Sequence, residues 1–255
     1  MQPLKNELPS ADDVFVFCDF ETTQDTKINE SAKLHVPILV CIQQFCTACG
    51  MQDDYSQDCA RCGKREHSFF EDPVGDLHSY LIEPRPWCMR FVAIPHNAKA
   101  FDAQFILNRA MLLKWTAELI LNGLKIGVKI HNIQFLHSVS YMPMPLRKLP
   151  EAFGLQASKS RYPHLFNTKA NLVYVGAIPY IKYYGADEMS EGERREFMAW
   201  YSKEKVKVFD NRLVLEQYCQ DDHRTATGML RVQTRIPSDR KYRGFPRGTD
   251  NRVGV

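Results

Sequence analysis

No apolar run in this sequence is long enough to cross a membrane, which excludes a helical membrane-spanning protein. A signal-like leader is also missing. Met1–Asp13 is polar and mixed in charge, so the expected location is nuclear or cytoplasmic. There is no internal repeat and no low-complexity segment, so a repeat array is not expected. Net charge is scarce as well: a formal +3 does not by itself announce a nucleic-acid partner. The charge is unevenly spread. From Arg231 to Val255 the bases Arg231, Arg235, Arg240, Lys241, Arg243, Arg247 and Arg252 face only Asp239 and Asp250. That end carries about +5 and the rest about −2. Its Gly and Pro content and lack of period predict an irregular tail, either solvated or in contact with phosphates. What remains is ordinary for a soluble globular protein: 255 residues, 44% hydrophobic and 25% charged. That suffices for one large domain or two small ones.

The chain is organised around Cys18-Asp19-Phe20-Glu21-Thr22-Thr23. Val14–Phe17 and Cys18 predict a buried central strand. The strand's period of two puts Asp19 and Glu21 on one face. Two carboxylates at the end of an apolar strand are costly unless a cation lies between them, and a pair of divalent metal ions would supply it. Solvated acids at a surface strand end are the alternative. Ile38–Phe45 predicts a second strand, antiparallel to the first.

Composition then changes. Cys46 and Cys49, each CxxC pair being followed by Gly, are matched after nine intervening residues by Cys59 and Cys62. Each CxxC brings two thiolates to one ion, and four thiolates suit a closed, structural Zn²⁺ site. Disulfides fit poorly with a chain lacking a secretory leader. Strands ending near Phe45 and resuming at His67–Phe70 make this a zinc ribbon inserted in a hairpin. Cys18, Cys41, Cys88 and Cys219 lie in apolar settings and read as core packing.

Further on, the pattern predicts a helix over Pro73–Ile82, a strand over Phe91–Asn97 and a helix over Phe101–Leu113 with Asp102 in its first turn. Two β segments follow, Glu118–Gly123 and Ile133–Val139, on either side of Gly127. A short helix is expected over Leu146–Phe153, loops and turns over Gln156–Gly185, a helix over Glu191–Ser202, and a last long helix over Arg212–Leu230. This order predicts an α/β fold with a central mixed sheet. His96, His131, His137 and His164 read as ordinary turn or core histidines, and His223 as a surface or supporting group.

Three acidic stations result: Asp19 with Glu21, then Asp102, then Asp222, which shares a helical face with Tyr218. Asp-x-Glu on a first strand, Asn-x-x-x-Phe-Asp, and Tyr-x-x-x-Asp on a late helix resemble the three motifs of the DnaQ-like 3′–5′ exonucleases. The Tyr is that of the DEDDy branch. The spacing is similar to the proofreading domain of family B DNA polymerases. Met142–Pro150, Phe153-Gly154-Leu155, Tyr162–Thr168 and Tyr183-Tyr184-Gly185 resemble the protein-primed polymerases of Polinton (Maverick) transposons and related viruses. The resemblance runs from about Val14 to about Met229.

It implies a ribonuclease-H-like exonuclease fold over residues 1–230, with the zinc ribbon inserted at 45–68 and a basic tail over 231–255. It further implies hydrolysis of phosphodiester bonds with two metal ions, Mg²⁺ or Mn²⁺, on Asp19, Glu21, Asp102 and Asp222. Tyr218 would orient the attacking water. Thr22, Asn97, Phe101 and Leu146 occupy positions that contact a single-stranded DNA 3′ end, Phe101 as a stacking face and Asn97 through its amide. Departures exist. Asp221 adjoins Asp222. Pro145 replaces a Ser of the DNA-binding motif. The Lys that phage enzymes place on the scissile phosphate has no clear counterpart near Tyr174-Val175-Gly176, where Lys182 or a Lys of the 203–207 cluster would have to serve. Nothing after Met229 resembles a polymerase module, which reads as an excised domain or a stand-alone derivative, the basic tail weighing toward the latter. The expected activity is on single-stranded DNA ends. The alternatives are an RNA 3′–5′ exonuclease and a catalytically silent nucleic-acid-binding module.

Overall fold

The first strand does what its pattern predicts and then continues further. In the computed structural model, which describes residues 12–30, 32–46, 49, 57–95, 102–122, 125–136 and 160–221, β1 runs over Asp12–Lys27. Val14, Val16, Cys18 and Phe20 alternate into one buried cluster. The opposite face carries Phe15 and Phe17, which stack on Phe45 of the neighbouring strand at 5.5 and 5.8 Å. Asp19 and Glu21 follow on that second face, as the pleat requires. Each fully buried apolar side chain here contributes roughly 1.5–3 kcal/mol.

β2 (Lys33–Phe45) pairs antiparallel with β1, and β3 (Glu66–Phe70) pairs antiparallel with β2. After α1 (Pro73–Ile82), β4 (Cys88–Pro95) returns parallel on the other side of β1. α2 (Asp102–Leu112) then leads to β5 (Ala117–Asn122), β6 (Lys125–Ile130) and β7 (Ile133–Leu136). The result is a seven-stranded mixed sheet in the order β3-β2-β1-β4-β7-β6-β5. The α/β class and central mixed sheet are as expected.

One element departs from the sequence reading. Gly127 does not separate two strands; it lies inside a third, β6. Lys125, Gly127 and Lys129 give that stretch a weak strand pattern. It is a strand because β5 and β7 flank it and supply ladder hydrogen bonds on both sides. The expected short helix over Leu146–Phe153 lies outside the described residues, as do 137–139 of the expected strand.

Helices cover both faces of the sheet. Val74, Leu77 and Leu81 of α1 and Ile106 and Ala110 of α2 join the cluster under Val14, Val16, Cys18 and Phe20. Asp72 caps α1 by accepting from Gly75 N at 3.3 Å, Pro73 opens it, and Arg109 of α2 reaches Asp72 at 2.6 Å. The 160–188 region is irregular with short 3-10 turns, as expected, apart from β8 (Val175–Gly176). α3 (Glu191–Glu204) opens with a Ser190–Glu193 capping box. β9 (Phe209–Asp210) pairs with β8. The last helix, α4, occupies 211–221 in the described residues. Its Leu215, Tyr218 and Cys219 pack on Leu39 and Cys41 of β2, which alternate with Val40 and Ile42 of the first cluster. α4 therefore covers the face that carries Asp19 and Glu21. Among the described residues no helix is long and apolar enough to cross a membrane.

A local titration device sits at the far side of α1. The His78 ring stacks on Trp115 with centroids 3.6 Å apart, and its Nε2 is 3.2 Å from Nδ1 of His131. Burial lowers the His78 pKa, and the neighbouring His131 and Arg109 lower it further. The unfolded chain takes up this proton near pH 6.5, before the folded chain does. Stability is therefore full above that pH and is lost as pH falls toward the folded value. The melting temperature should drop between pH 7.5 and 5.5, and by less in His78→Gln. Equal drops in the two proteins would refute a role for His78.

Candidate active site

Asp19 and Glu21 are both half-buried on one face of β1. Their cross-strand partners on β2 are Cys41 and Leu39, so α4 docks directly beside the acids. Cys219 of α4 is fully buried there, and its thiol donates to the Asp19 carbonyl at 3.3 Å. A carboxylate oxygen of Asp19, one of Glu21 and the Cys219 sulfur all lie within 4.8 Å of one another. That separation suits ligands around one cation. Cys219 was expected to be core packing alone. It is core, and it also borders the acids, a proximity that no local pattern in α4 announces.

Asp102 is 1% exposed at the start of α2. It is not part of that trio. Its charge is nonetheless felt at Cys18, whose thiol is pushed up first by burial, then by Asp102 and then by Asp19. Both charges are thus felt at one side chain of β1. Asp222 lies outside the described residues, as do Asn97, Phe101 and Leu146. The fourth acidic station and three of the four expected strand contacts therefore remain at the level of the sequence. Asp221, the neighbour of Asp222, accepts from Gln217 Nε2 at 2.8 Å on the helix surface.

Tyr218 is buried, 6% exposed, with its ring 5.6 Å from that of Tyr162. The expectation for Tyr218 singled out its hydroxyl; the ring is also a structural member of the α4 cluster. Tyr162 donates to Asn211 Oδ1 at 2.9 Å. Burial pushes the Tyr162 hydroxyl well above its ordinary range, and the Glu21 charge pushes it further. It therefore stays a phenol donor and lies close enough to Glu21 to sense it.

The stretch around Tyr162 works as a strap. Asn167 Nδ2 donates to the Thr22 carbonyl at 3.0 Å, and Lys169 N donates to Asp25 Oδ2 at 2.9 Å. Asn211, fully buried, donates from Nδ2 to the Asn171 carbonyl and from its backbone N to the Tyr174 carbonyl, both at 2.9 Å. The end of β1 and the start of α4 are thus tied by one segment. The Thr22 hydroxyl shares a 3.1 Å hydrogen bond with His35 Nδ1 of β2, a partner the sequence reading did not assign. His164 is an exposed turn residue, the first of the two readings given to it. Its ring stands edge-on to Tyr218 at 5.1 Å and to Tyr162 at 5.3 Å. Lys182 lies over the Tyr183 ring at 5.1 Å.

The second centre is the cysteine cluster. Cys46, Cys49, Cys59 and Cys62 are all buried. Their sulfurs are 3.8 Å (Cys46–Cys49), 3.9 Å (Cys46–Cys59) and 3.5 Å (Cys49–Cys62) apart. A tetrahedral ion with bonds of about 2.3 Å needs sulfurs roughly 3.8 Å apart. The four sulfurs therefore fit a metal ion such as zinc. Backbone N–H groups of Cys46, Arg61 and Cys62 point at Cys49 or Cys59 sulfur at 3.4–3.5 Å, which favours thiolates. The contact between Cys49 and Cys62 draws the Cys49 thiol down and pushes the Cys62 thiol up. Gln44 of β2 holds the Cys59–Cys62 turn to the sheet by donating to the carbonyls of Cys62 and Lys64 at 2.9 and 2.8 Å. The Gln44 amide is set in turn by Tyr80 OH of α1 at 2.8 Å.

A family model described as DNA polymerase type B, organellar and viral, matches residues 90–233. The match takes in β4, α2, Asp102 and α4, and leaves Asp19, Glu21 and the four cysteines outside it. The chain is 33% identical over 119 residues to the "Probable DNA polymerase" of Agaricus bitorquis, which covers 43% of this chain and 15% of that protein. Among solved structures it is similar to Phi29 DNA polymerase complexed with single-stranded DNA, at 12% identity and a TM-score of 0.47, covering 88% of this chain and 31% of that one. The orthorhombic form of Phi29 DNA polymerase matches at 12% identity and a TM-score of 0.47, covering 91% and 32%. The chain therefore spans a minor part of each of these proteins.

Proposed function

This chain belongs to the organellar and viral type B DNA polymerase family, and on that premise we propose that it is a metal-dependent 3′–5′ exonuclease acting on single-stranded DNA ends. The observation that supports this most is the face of β1. Asp19 and Glu21 hold oxygens within 4.8 Å of each other, directly under the helix that carries Tyr218.

Asp19, Glu21, Asp102 and Asp222 would hold Mg²⁺ or Mn²⁺. These ions would supply an activated water and offset charge on the leaving 3′ oxygen. The chain's own residues bind and orient. Tyr218, whose ring lies 5.6 Å from that of Tyr162, would orient the water that attacks. Thr22, with its backbone carbonyl fixed by Asn167 and its hydroxyl by His35, meets the terminal nucleotide. By the family resemblance Asn97, Phe101 and Leu146 would contact the same DNA strand. The four cysteines take one Zn²⁺ in a structural role, since a closed set of thiolates leaves no ligand position for substrate.

The test is an incubation of 5′-labelled single-stranded DNA, and of RNA in parallel, with Mg²⁺ or Mn²⁺. Stepwise shortening of the DNA from its 3′ end is expected. Absence of shortening on both strands would overturn the proposal, and faster loss of RNA would reassign the substrate. In Tyr218→Phe the turnover should fall roughly ten- to hundred-fold with KM nearly unchanged, because the hydroxyl acts on water rather than on DNA binding. A change confined to KM would remove Tyr218 from that role.

A further inference from the structure

We infer that Cys219 is itself a metal ligand, and that with Asp19 and Glu21 it forms a mixed sulfur–oxygen site for one thiophilic divalent cation of the Zn²⁺ class. This deepens the exonuclease reading and rests on it for its consequence, which is competition with the ions that would serve hydrolysis. Four observations carry it.

First, the donors are together. One oxygen of Asp19, one of Glu21 and the Cys219 sulfur lie within 4.8 Å of one another. Bonds of about 2.1 Å to oxygen and about 2.3 Å to sulfur leave the ligand atoms of one tetrahedral ion roughly 3.6 Å apart. Small rotations of the two carboxylates close the set. Second, the sulfur is held. Cys219 is fully buried in the cluster that docks α4 on β2, and its thiol donates to the Asp19 carbonyl at 3.3 Å. The sulfur forms the floor of the site, and the half-buried acids leave a way in from solvent. Third, the neighbouring thiols are placed otherwise. Cys41, across from Asp19 on β2, turns its sulfur to Ser68 Oγ at 3.4 Å and to the Glu216 carbonyl at 3.8 Å. Cys18 packs in the cluster on the opposite face of β1. Among the described residues, Cys219 is the thiol grouped with the two acids.

Fourth, the donor set sorts ions. Mg²⁺ takes oxygen ligands, whereas Zn²⁺ and Cd²⁺ favour thiolate. As such an ion binds, the S–H bond breaks, a metal–sulfur bond forms and the proton leaves to water. The ion then ties α4 to β1 and occupies Asp19 and Glu21, so Mg²⁺ or Mn²⁺ is displaced from them. Three donors hold an ion less tightly than the four thiolates of the ribbon. This site therefore fills only when ion is supplied beyond the ribbon's own.

The test is a titration of the purified protein with ¹¹³Cd²⁺, followed by ¹¹³Cd NMR. Cadmium that replaces the ribbon's zinc should resonate in the range of four sulfur ligands. Further cadmium should give a second resonance, in the range of one sulfur with oxygens, coupled to the β protons of Cys219. In Cys219→Ser that coupling should vanish and the second resonance should move toward the all-oxygen range. Cd²⁺ affinity there should fall roughly ten- to hundred-fold. The ribbon resonance should stay, which shows that the variant is folded. Mn²⁺ binding, read from its electron spin resonance, should weaken by less than about three-fold, since a harder ion gains little from sulfur. In the wild type, Zn²⁺ added beyond one equivalent should slow Mn²⁺-supported shortening of DNA. Cys219→Ser should need roughly ten-fold more Zn²⁺ for the same slowing. A second wild-type resonance with oxygen ligands alone, or no second resonance, overturns the inference whether or not the variant folds. If DNA is shortened in Mn²⁺ under that outcome, the exonuclease reading stands and the inference alone falls. If the sulfur-coupled resonance is present and DNA is not shortened, the ligand assignment stands and the exonuclease reading falls.

Discussion

Asp19→Ala should reduce 3′-end shortening of single-stranded DNA by at least about a thousand-fold, roughly 4 kcal/mol of barrier. Asp19 belongs to the trio with Glu21 and Cys219, and its charge reaches Cys18, which the Asp102 charge also reaches. Deleting it removes an oxygen donor from the place where the carboxylates gather. The loss should be in turnover on bound strand, and raising Mn²⁺ should restore only a small part of it. A misfolded variant would imitate this result, and one further measurement separates the two. Asp19 and Glu21 are like charges with oxygens within 4.8 Å, so without divalent ions their repulsion costs stability. Asp19→Asn, which keeps the shape, should therefore melt no lower than the wild type in EDTA-washed, divalent-free buffer. It should also gain less than the wild type on adding Mn²⁺. An Asp19→Ala protein that still shortens DNA at the wild-type rate would refute the assignment.

The second large effect is expected at the ribbon. One zinc ion per chain should be found by elemental analysis of protein purified without added metal. Cys49→Ser, or prolonged treatment with a strong chelator, should remove that ion and lower the melting temperature by ten degrees or more. A structural four-thiolate site is worth on the order of 10 kcal/mol in isolated domains, and part of that is recovered here by the sheet. Hydrogen exchange should rise first in β2 and β3. Gln44 N donates to the Arg65 carbonyl at 2.8 Å, and its side chain holds the Cys62 and Lys64 carbonyls, so loss of the ion frees the partners of that glutamine. Asp19→Ala should keep its zinc, since the two centres share no ligand. Full melting temperature in metal-free Cys49→Ser would show that the cluster is dispensable for folding.

Several elements were legible because their determinants are local. Pro73–Ile82 has a capping Asp72, a proline at its first position and apolar residues at helical spacing, and the helix has those bounds. The alternation of Val14, Val16 and Cys18 against Phe15, Phe17 and Asp19 encodes both faces of β1. The CxxC pairs need only short loops to meet, so spacing foretold their gathering. β6 was not legible. Its backbone is extended because two strands flank it, and that neighbourhood is not written in Lys125–Ile130.

The sequence by itself determined the acids on one face of a strand, the four thiols and the family to which the chain belongs, because each depends on residue type at short separation. Only the tertiary structure decided what stands beside those acids. Cys219 lies 200 residues from Asp19, and its thiol reaches the Asp19 carbonyl because α4 packs on Leu39 and Cys41. His164 reads as one more histidine in a turn until the strap from Asn167 to Asn211 lays it against Tyr218. Contacts of that separation carry no period and no spacing. They follow from which buried faces must close on one another, and burial is settled by the whole chain at once.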